Sequence, residues 1–134
     1  MRSNDDFGKL VLRATLAILV LFHGVSKLIN GIDPLMGMVA KAGLPSAFAF
    51  LVFIGEVIAP LMILFGIWAR LGAVIVAINM IMAVFLAHTS QIFTMAKTGG
   101  WALELQGFYF FTAVAVALLG AGSYSVGGRS GKLN

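Results

Sequence analysis

The sequence predicts an all-α membrane protein, a four-transmembrane-helix antiparallel bundle with a short interfacial helix between the first and second helices. Of the 134 residues, 60% are hydrophobic and only 10% are charged, a balance far from that of soluble domains. Four apolar segments, residues 10–29, 46–68, 71–93 and 105–121, stand out along the chain. Each approaches the ~20 helical residues needed to cross a hydrocarbon core of ~30 Å. The connections are short and leave little chain for a soluble domain, so residues 1–134 are read as a single membrane domain.

The first helix follows the polar stretch RSNDD and carries Arg13 in its first turns, where a long side chain can snorkel to the headgroups. It runs past the length of a signal-peptide core and lacks a small-residue cleavage pattern, so it is read as retained. Residues 30–45 form the longest connection and contain Asp33-Pro34, a capping residue followed by proline at a first helical position, with Gly43 as a stop. A short interfacial helix over residues 35–42 is expected there.

The second helix, FAFLVFIGEVIAPLMILFGIW, holds Glu56 near its middle and Pro60 four residues later. An ionised carboxylate at that depth costs roughly 2.5–3.5 kcal/mol on insertion scales and normally faces a bundle interior. Pro60 lacks the N–H that would satisfy the carbonyl of residue 56. One turn therefore combines a charged side chain with a freed backbone acceptor, which lipid alone cannot satisfy.

The second and third helices are separated by very few residues and must be antiparallel neighbours, with Trp68 and Arg70 at the interface. In the third helix Asn79 reads as interhelical glue, and His88 lies near the far end. The turn FTMAKTGGW leads to the fourth helix, and residues 122–134 form a polar, glycine-rich tail expected to be loosely ordered and cytoplasmic.

Lysine and arginine are scattered between hydrophobic runs, so the net charge of +4 reads as topology rather than as a nucleic-acid surface. Arg2, Lys9, Arg13, Arg70, Arg129 and Lys132 fall on one side of the predicted bundle, against Lys27, Lys41 and Lys97 on the other. That bias places both termini in the cytoplasm. The absence of cysteine removes disulfides, thiolate metal sites and CxxC redox relays.

At ~1.5 Å per residue, His23 lies about 21 Å from Lys9, and Glu56 about 21 Å from Arg70. His88 and Glu104 fall a little farther out on the same count, and Lys27 projects at i+4 from His23. The ionisable groups thus form a layer in the outer half of the bundle, flanked by Gln91 and Gln106. Each also has a structural reading: His88 as an interfacial residue, Lys27 as a helix-end cation, Glu104 as a first-turn carboxylate, Glu56 as a polar clasp to His23 or Asn79. The two histidines differ in depth by about 6 Å, and no HxxxH spacing occurs, so no metal is predicted. The stripe Phe108, Phe110, Phe111 reads as packing or lipid-facing surface.

The segments LFHGVSKL, a glutamate followed by LFGIWAR, a late histidine, GGW and GAGSYSV, in this order, resemble the DoxX family across nearly the whole chain. The resemblance implies a bundle in the bacterial cytoplasmic (inner) membrane. For some relatives it implies a membrane subunit of a thiosulfate:quinone oxidoreductase, for others a partner in oxidative-stress defence. The family's HG-x-x-K element falls on His23, Gly24 and Lys27, its membrane glutamate on Glu56, its G-x-x-x-R element on Gly66 and Arg70, and its late histidine on His88. The acidic residue that often follows Gly-Gly-aromatic is displaced to Glu104, and the tail lacks the proline and aspartate of many members.

Two functions follow from different classes. In the first, His23, Glu56 and His88 are catalytic, Lys27, Glu104 and Gln106 bind substrate, and Arg13, Arg70, Asn79 and Pro60 are structural. A quinone would be the cofactor, and without thiols or a flavin fingerprint electrons would have to arrive from a partner redox subunit. In the second, the chain is a non-catalytic membrane module for assembly or stress resistance that binds a partner protein or small ligand. Its contacts are the lipid bilayer and protein, not nucleic acid, and self-association through a Gly and Ala face stays open.

Overall fold

The computed structural model describes residues 4–129 and 131–134; Arg2, counted in the charge bias, lies outside them. The described residues are helical throughout apart from turns and one isolated bridge, Met95 to Trp101, with no strand among them. Five helices follow in order: α1, Asn4–Asn30; α2, Asp33–Lys41; α3, Ser46–Phe65; α4, Ala69–Gln91; and α5, Glu104–Leu119. Of these, α1, α3 and α4 are long and apolar enough to cross a membrane. At 16 residues, α5 spans about 24 Å, short of a hydrocarbon core of ~30 Å.

The helix ends differ from expectation for local reasons. The first helix already includes Asn4, six residues before its apolar stretch, and Asp5 and Asp6 lie near its N-terminal end, where carboxylates suit the helix dipole. The second apolar helix stops at Phe65 because Gly66 takes a left-handed conformation (φ 72°), and Trp68, also left-handed (φ 51°), completes the reversal. Glycine at 120 (φ 82°) ends α5.

Neither α3 nor α4 is uniform. In α3, tight 3₁₀ turns over Ser46–Leu51 give way to a π stretch, Ile54–Ile58, before regular α-helix resumes at Ala59. The Ala59 N–H reaches back to the Ile54 carbonyl, so the ladder widens just where Pro60 removes a donor. A second π stretch, Val84–His88, occurs in α4.

The main core joins α1, α3, α4 and α5 through Leu16, Val20, Ile63, Val76 and Val116, with alanines 17, 59, 73, 77 and 113 between them. Small residues let the backbones approach, the usual basis of helix packing in lipid. A β-carbon at Gly24 would overlap the Glu56 carbonyl oxygen, one at Gly55 would collide with Asn79, and one at Gly72 would sit 3.0 Å from the Ala59 carbonyl oxygen. A satellite core of Ile32, Val39, Ala49 and Val52 holds α2 against α3. Phe22, Phe108, Phe111 and Leu118 lie outside both cores and are well exposed, as suits a membrane protein's lipid-facing surface.

The end of the bundle near Asn4 and Gly120 departs from the sequence expectation. Arg13 does not reach outward: it is 1% exposed and donates to the carbonyls of Ile63 (2.7 Å), Leu64 (3.0 Å) and Tyr124. Its guanidinium thus satisfies the last turn of α3, as Arg70 does for α5 through the carbonyls of Ala117 and Leu118. The tail expected to be loosely ordered makes defined contacts. The Val126 and Gly127 N–H groups donate to Phe65 and Gly66, Arg70 N–H to Leu133, and Ala69 N–H to the Asn134 side chain. Arg129 pairs with the buried Asp6 at 2.8 Å. Glycine-rich composition hid this because the partners are helix-end groups distant in sequence.

Candidate functional site

At the opposite end, α1, α2, α3 and α4 enclose a cavity of about 630 Å³. Its walls are mainly apolar, with Leu35 and Met38 from α2, Phe48 and Val52 from α3, and Ile75 and Leu86 from α4. Polar groups line it at Lys27, Glu56, Asn79 and His88.

The polar cluster is built by the irregular part of α3. The π stretch carries Glu56, which is 5% exposed, towards α1 and α4. Lys27 Nζ donates to Glu56 Oε1 at 2.5 Å, and Asn79 Nδ2 donates to Glu56 Oε2 at 2.9 Å. Both carboxylate oxygens therefore have a partner, one from each neighbouring helix, which is what a charge in low dielectric requires. Gly24 and Gly55 make the arrangement possible, since a side chain at either position would push α1 or α4 away from this turn.

His88 shares the cavity but not the cluster. It lies nine residues beyond Asn79 on α4, about 13 Å along the helix, and its Nδ1 sits 2.7 Å from Gln91 Oε1. His23 does not line the cavity. It is exposed, and its ring stands edge-on to Tyr109 of α5 with centroids 5.9 Å apart. Each helical residue turns about 100°, so Gly24, not His23, faces Glu56, and the histidine is carried towards α5. Glu104 is exposed at the start of α5 beside Gly100, and Gln106 is half-buried; neither lines the cavity. Arg13 and Arg70 belong to the other end, and Pro60 is buried behind the π stretch. Among the described residues no group of three or more His, Cys, Asp or Glu could hold a metal ion.

One participant was not singled out from sequence. Tyr109 is 7% exposed, touches His23, and lies within electrostatic range of Glu56. The signal was present in FYFF: of these aromatics only tyrosine carries a hydroxyl that needs a polar neighbour when buried.

The model of the DoxX family matches residues 8–89, more than half of the chain. The match covers His23, Gly24, Lys27, Glu56, Asn79 and His88 and stops before Glu104, short of the whole-chain resemblance read from the motifs. A protein of Bacillus subtilis (strain 168), "Putative oxidoreductase CatD", is 30% identical over 84 residues, which are 63% of this chain and 62% of the relative. The chain thus spans less than two thirds of that relative's length in the match. No solved structure matches.

Proposed function

The chain belongs to the DoxX family, and from that premise we propose that it is the quinone-binding membrane subunit of an oxidoreductase in the bacterial cytoplasmic membrane. The observation that carries the reading is the cavity of about 630 Å³, apolar over most of its wall and furnished with Lys27, Glu56, Asn79 and His88. Cavities of ~300–1,000 Å³ with a few convergent polar groups are the usual form of small-molecule sites. The relative named "Putative oxidoreductase CatD" supports the same class of chemistry.

The residues present fit a quinone. Its ring and tail are apolar and its carbonyls accept hydrogen bonds. Lys27 has three N–H donors and spends one on Glu56; Asn79 has two and likewise spends one. When bound, a quinone would supply an acceptor for two electrons and two protons. The chain's part is to hold the headgroup with Lys27 and Asn79, keep water out with the apolar wall, and pass protons through Glu56 and His88. His23, separated from the cavity, would serve the route to Glu56 by way of Tyr109. Electrons would come from a partner subunit, since this chain carries neither a thiol nor a flavin fingerprint.

In this reading α5 is a fourth span, α2 lies at the outer interface, and both termini are cytoplasmic. The structure's two ends support that sidedness: Arg13, Arg70 and Arg129 gather with the tail, while Lys27 belongs to the cavity end. Detergent-purified protein should yield extractable quinone. When co-purified with its redox partner it should reduce a soluble quinone analogue, and Glu56→Gln should lower that turnover at least ten-fold; equal turnover by the variant would overturn the assignment.

A second reading rests on one observation, that Lys27, Glu56 and Asn79 close on themselves and tie α1, α3 and α4 together. The cluster would then be a packing clasp in a non-catalytic assembly or stress-resistance module. Absence of quinone and turnover, with loss of the folded bundle in Glu56→Gln, would favour it.

A further inference from the structure

The polar end of the cavity is electrically neutral. Lys27 and Glu56 are 2.5 Å apart and cancel, and Asn79 adds no charge. Of the other groups near Glu56, Tyr109 approaches from α5 and His88 lines the same cavity farther along α4, while α2 contributes only apolar lining. An anionic head placed beside Lys27 would leave one uncompensated negative charge in a low-dielectric wall, which is costly unless it is paired. An uncharged oxygen acceptor meets no such cost, because Lys27 and Asn79 keep donors that the ion pair does not use.

The cavity also has a side. Its lining includes Leu51 and Ile54 of α3 and Ile78 and Met82 of α4, and these are 58%, 41%, 54% and 39% exposed. Both helices are membrane-crossing in length and composition, so this apolar rim opens towards acyl chains rather than water.

We infer that the cavity admits from the bilayer, between α3 and α4, an amphiphile with an apolar tail and an uncharged oxygen-acceptor head, and that the Lys27–Glu56 pair excludes anionic heads on the same tail. The inference deepens the proposed function and rests on it for the use of this cavity. It has a consequence for any anionic reductant such as thiosulfate, which must be bound outside this cavity, on a partner subunit.

The chain has no cysteine, so Ala83→Cys on the cavity wall provides a single reporter thiol. In phosphatidylcholine nanodiscs at pH 8, the rate of N-ethylmaleimide labelling is measured against 2-dodecanone, decanesulfonate and the tail-less 2-butanone. The long-chain ketone should protect at a concentration at least ten-fold lower than either of the others. Adding Glu56→Gln leaves Lys27 without its counter-ion and should lower the protecting concentration of the sulfonate at least ten-fold. Equal protection by ketone and sulfonate in the Glu56 protein overturns the charge exclusion whether or not the variant folds, and equal protection by 2-butanone overturns access from the bilayer. Decylubiquinone in the same assay separates the two proposals. If the ketone protects and the quinone does not, the quinone reading fails and this one stands; if quinone and sulfonate protect alike, the reverse holds.

Discussion

Lys27 Nζ lies 2.5 Å from Glu56 Oε1, an ion pair that links α1 to the π stretch of α3 inside the bundle. Glu56 is buried and Lys27 partly so, and removing one member of such a pair is more harmful than removing both, because the survivor keeps its desolvation cost without its partner. Single losses run up to about 3–5 kcal/mol for a fully buried pair and less where, as at Lys27, solvent reaches the survivor. Lys27→Met and Glu56→Leu should each lower the thermal midpoint of the detergent-solubilised protein clearly, while the double variant should recover most of that loss. Additive losses would show that the two side chains do not depend on each other.

Gly24 tests the same contact from the backbone side. Alanine there places a β-carbon into the Glu56 carbonyl, with Val57 also in the way. Overpacking of this kind costs about 1–3 kcal/mol. Gly24→Ala should therefore destabilise the bundle by that amount in thermal unfolding. Gly8→Ala, at an exposed position in the same helix where nothing stands within 4 Å, should be neutral to slightly stabilising, since alanine favours a helix over glycine by about 0.5–1 kcal/mol.

The helices and their order were legible in the hydrophobic runs, and Glu56 was conspicuous because charge is rare in them. The Glu56–Pro60 spacing correctly marked a disturbed turn, but not that α3 would answer with a π stretch, since that depends on which carbonyls the neighbouring helices can satisfy. Depth counting put His23 level with Glu56 yet could not fix rotation, and one residue of helical phase gave the contact to Gly24. Tail docking was hidden for another reason: Asp6, Arg13 and Arg70 are ordinary helix-end charges until residues more than a hundred positions away, or the ends of other helices, supply their partners.

Asp6 gives a pH prediction at the other end of the bundle, before the apolar stretch of α1. Burial pushes its carboxyl up, but the Ser123 N–H and Arg129 outweigh this and hold it below the ordinary value. A depressed acid contributes stability that is full above the unfolded value, near 3.9, and is lost as pH falls through the lower folded value. A fluorophore on a single cysteine at Val126 should therefore report undocking of the tail only below about pH 4. Asp6→Asn should undock it at neutral pH, and a tail that stays docked in that variant would contradict the assigned role.

Arg70 closes the last turn of α5 through the carbonyls of Ala117 and Leu118. Arg70→Lys keeps the charge but not the planar fork that serves several carbonyls. The substitution should cost about 1–2 kcal/mol, in the range of a lost helix-end contact, read as a lower thermal midpoint with faster amide exchange confined to residues 117–120.

The most direct measurement of the central claim is photolabelling with an azidoquinone in membranes, followed by peptide mapping. The account predicts label on the cavity walls, within residues 48–56 and 75–88, reduced by excess unlabelled quinone and by Ala83→Trp, which fills the cavity. Label that falls only outside these segments, or that excess quinone does not reduce, would contradict it.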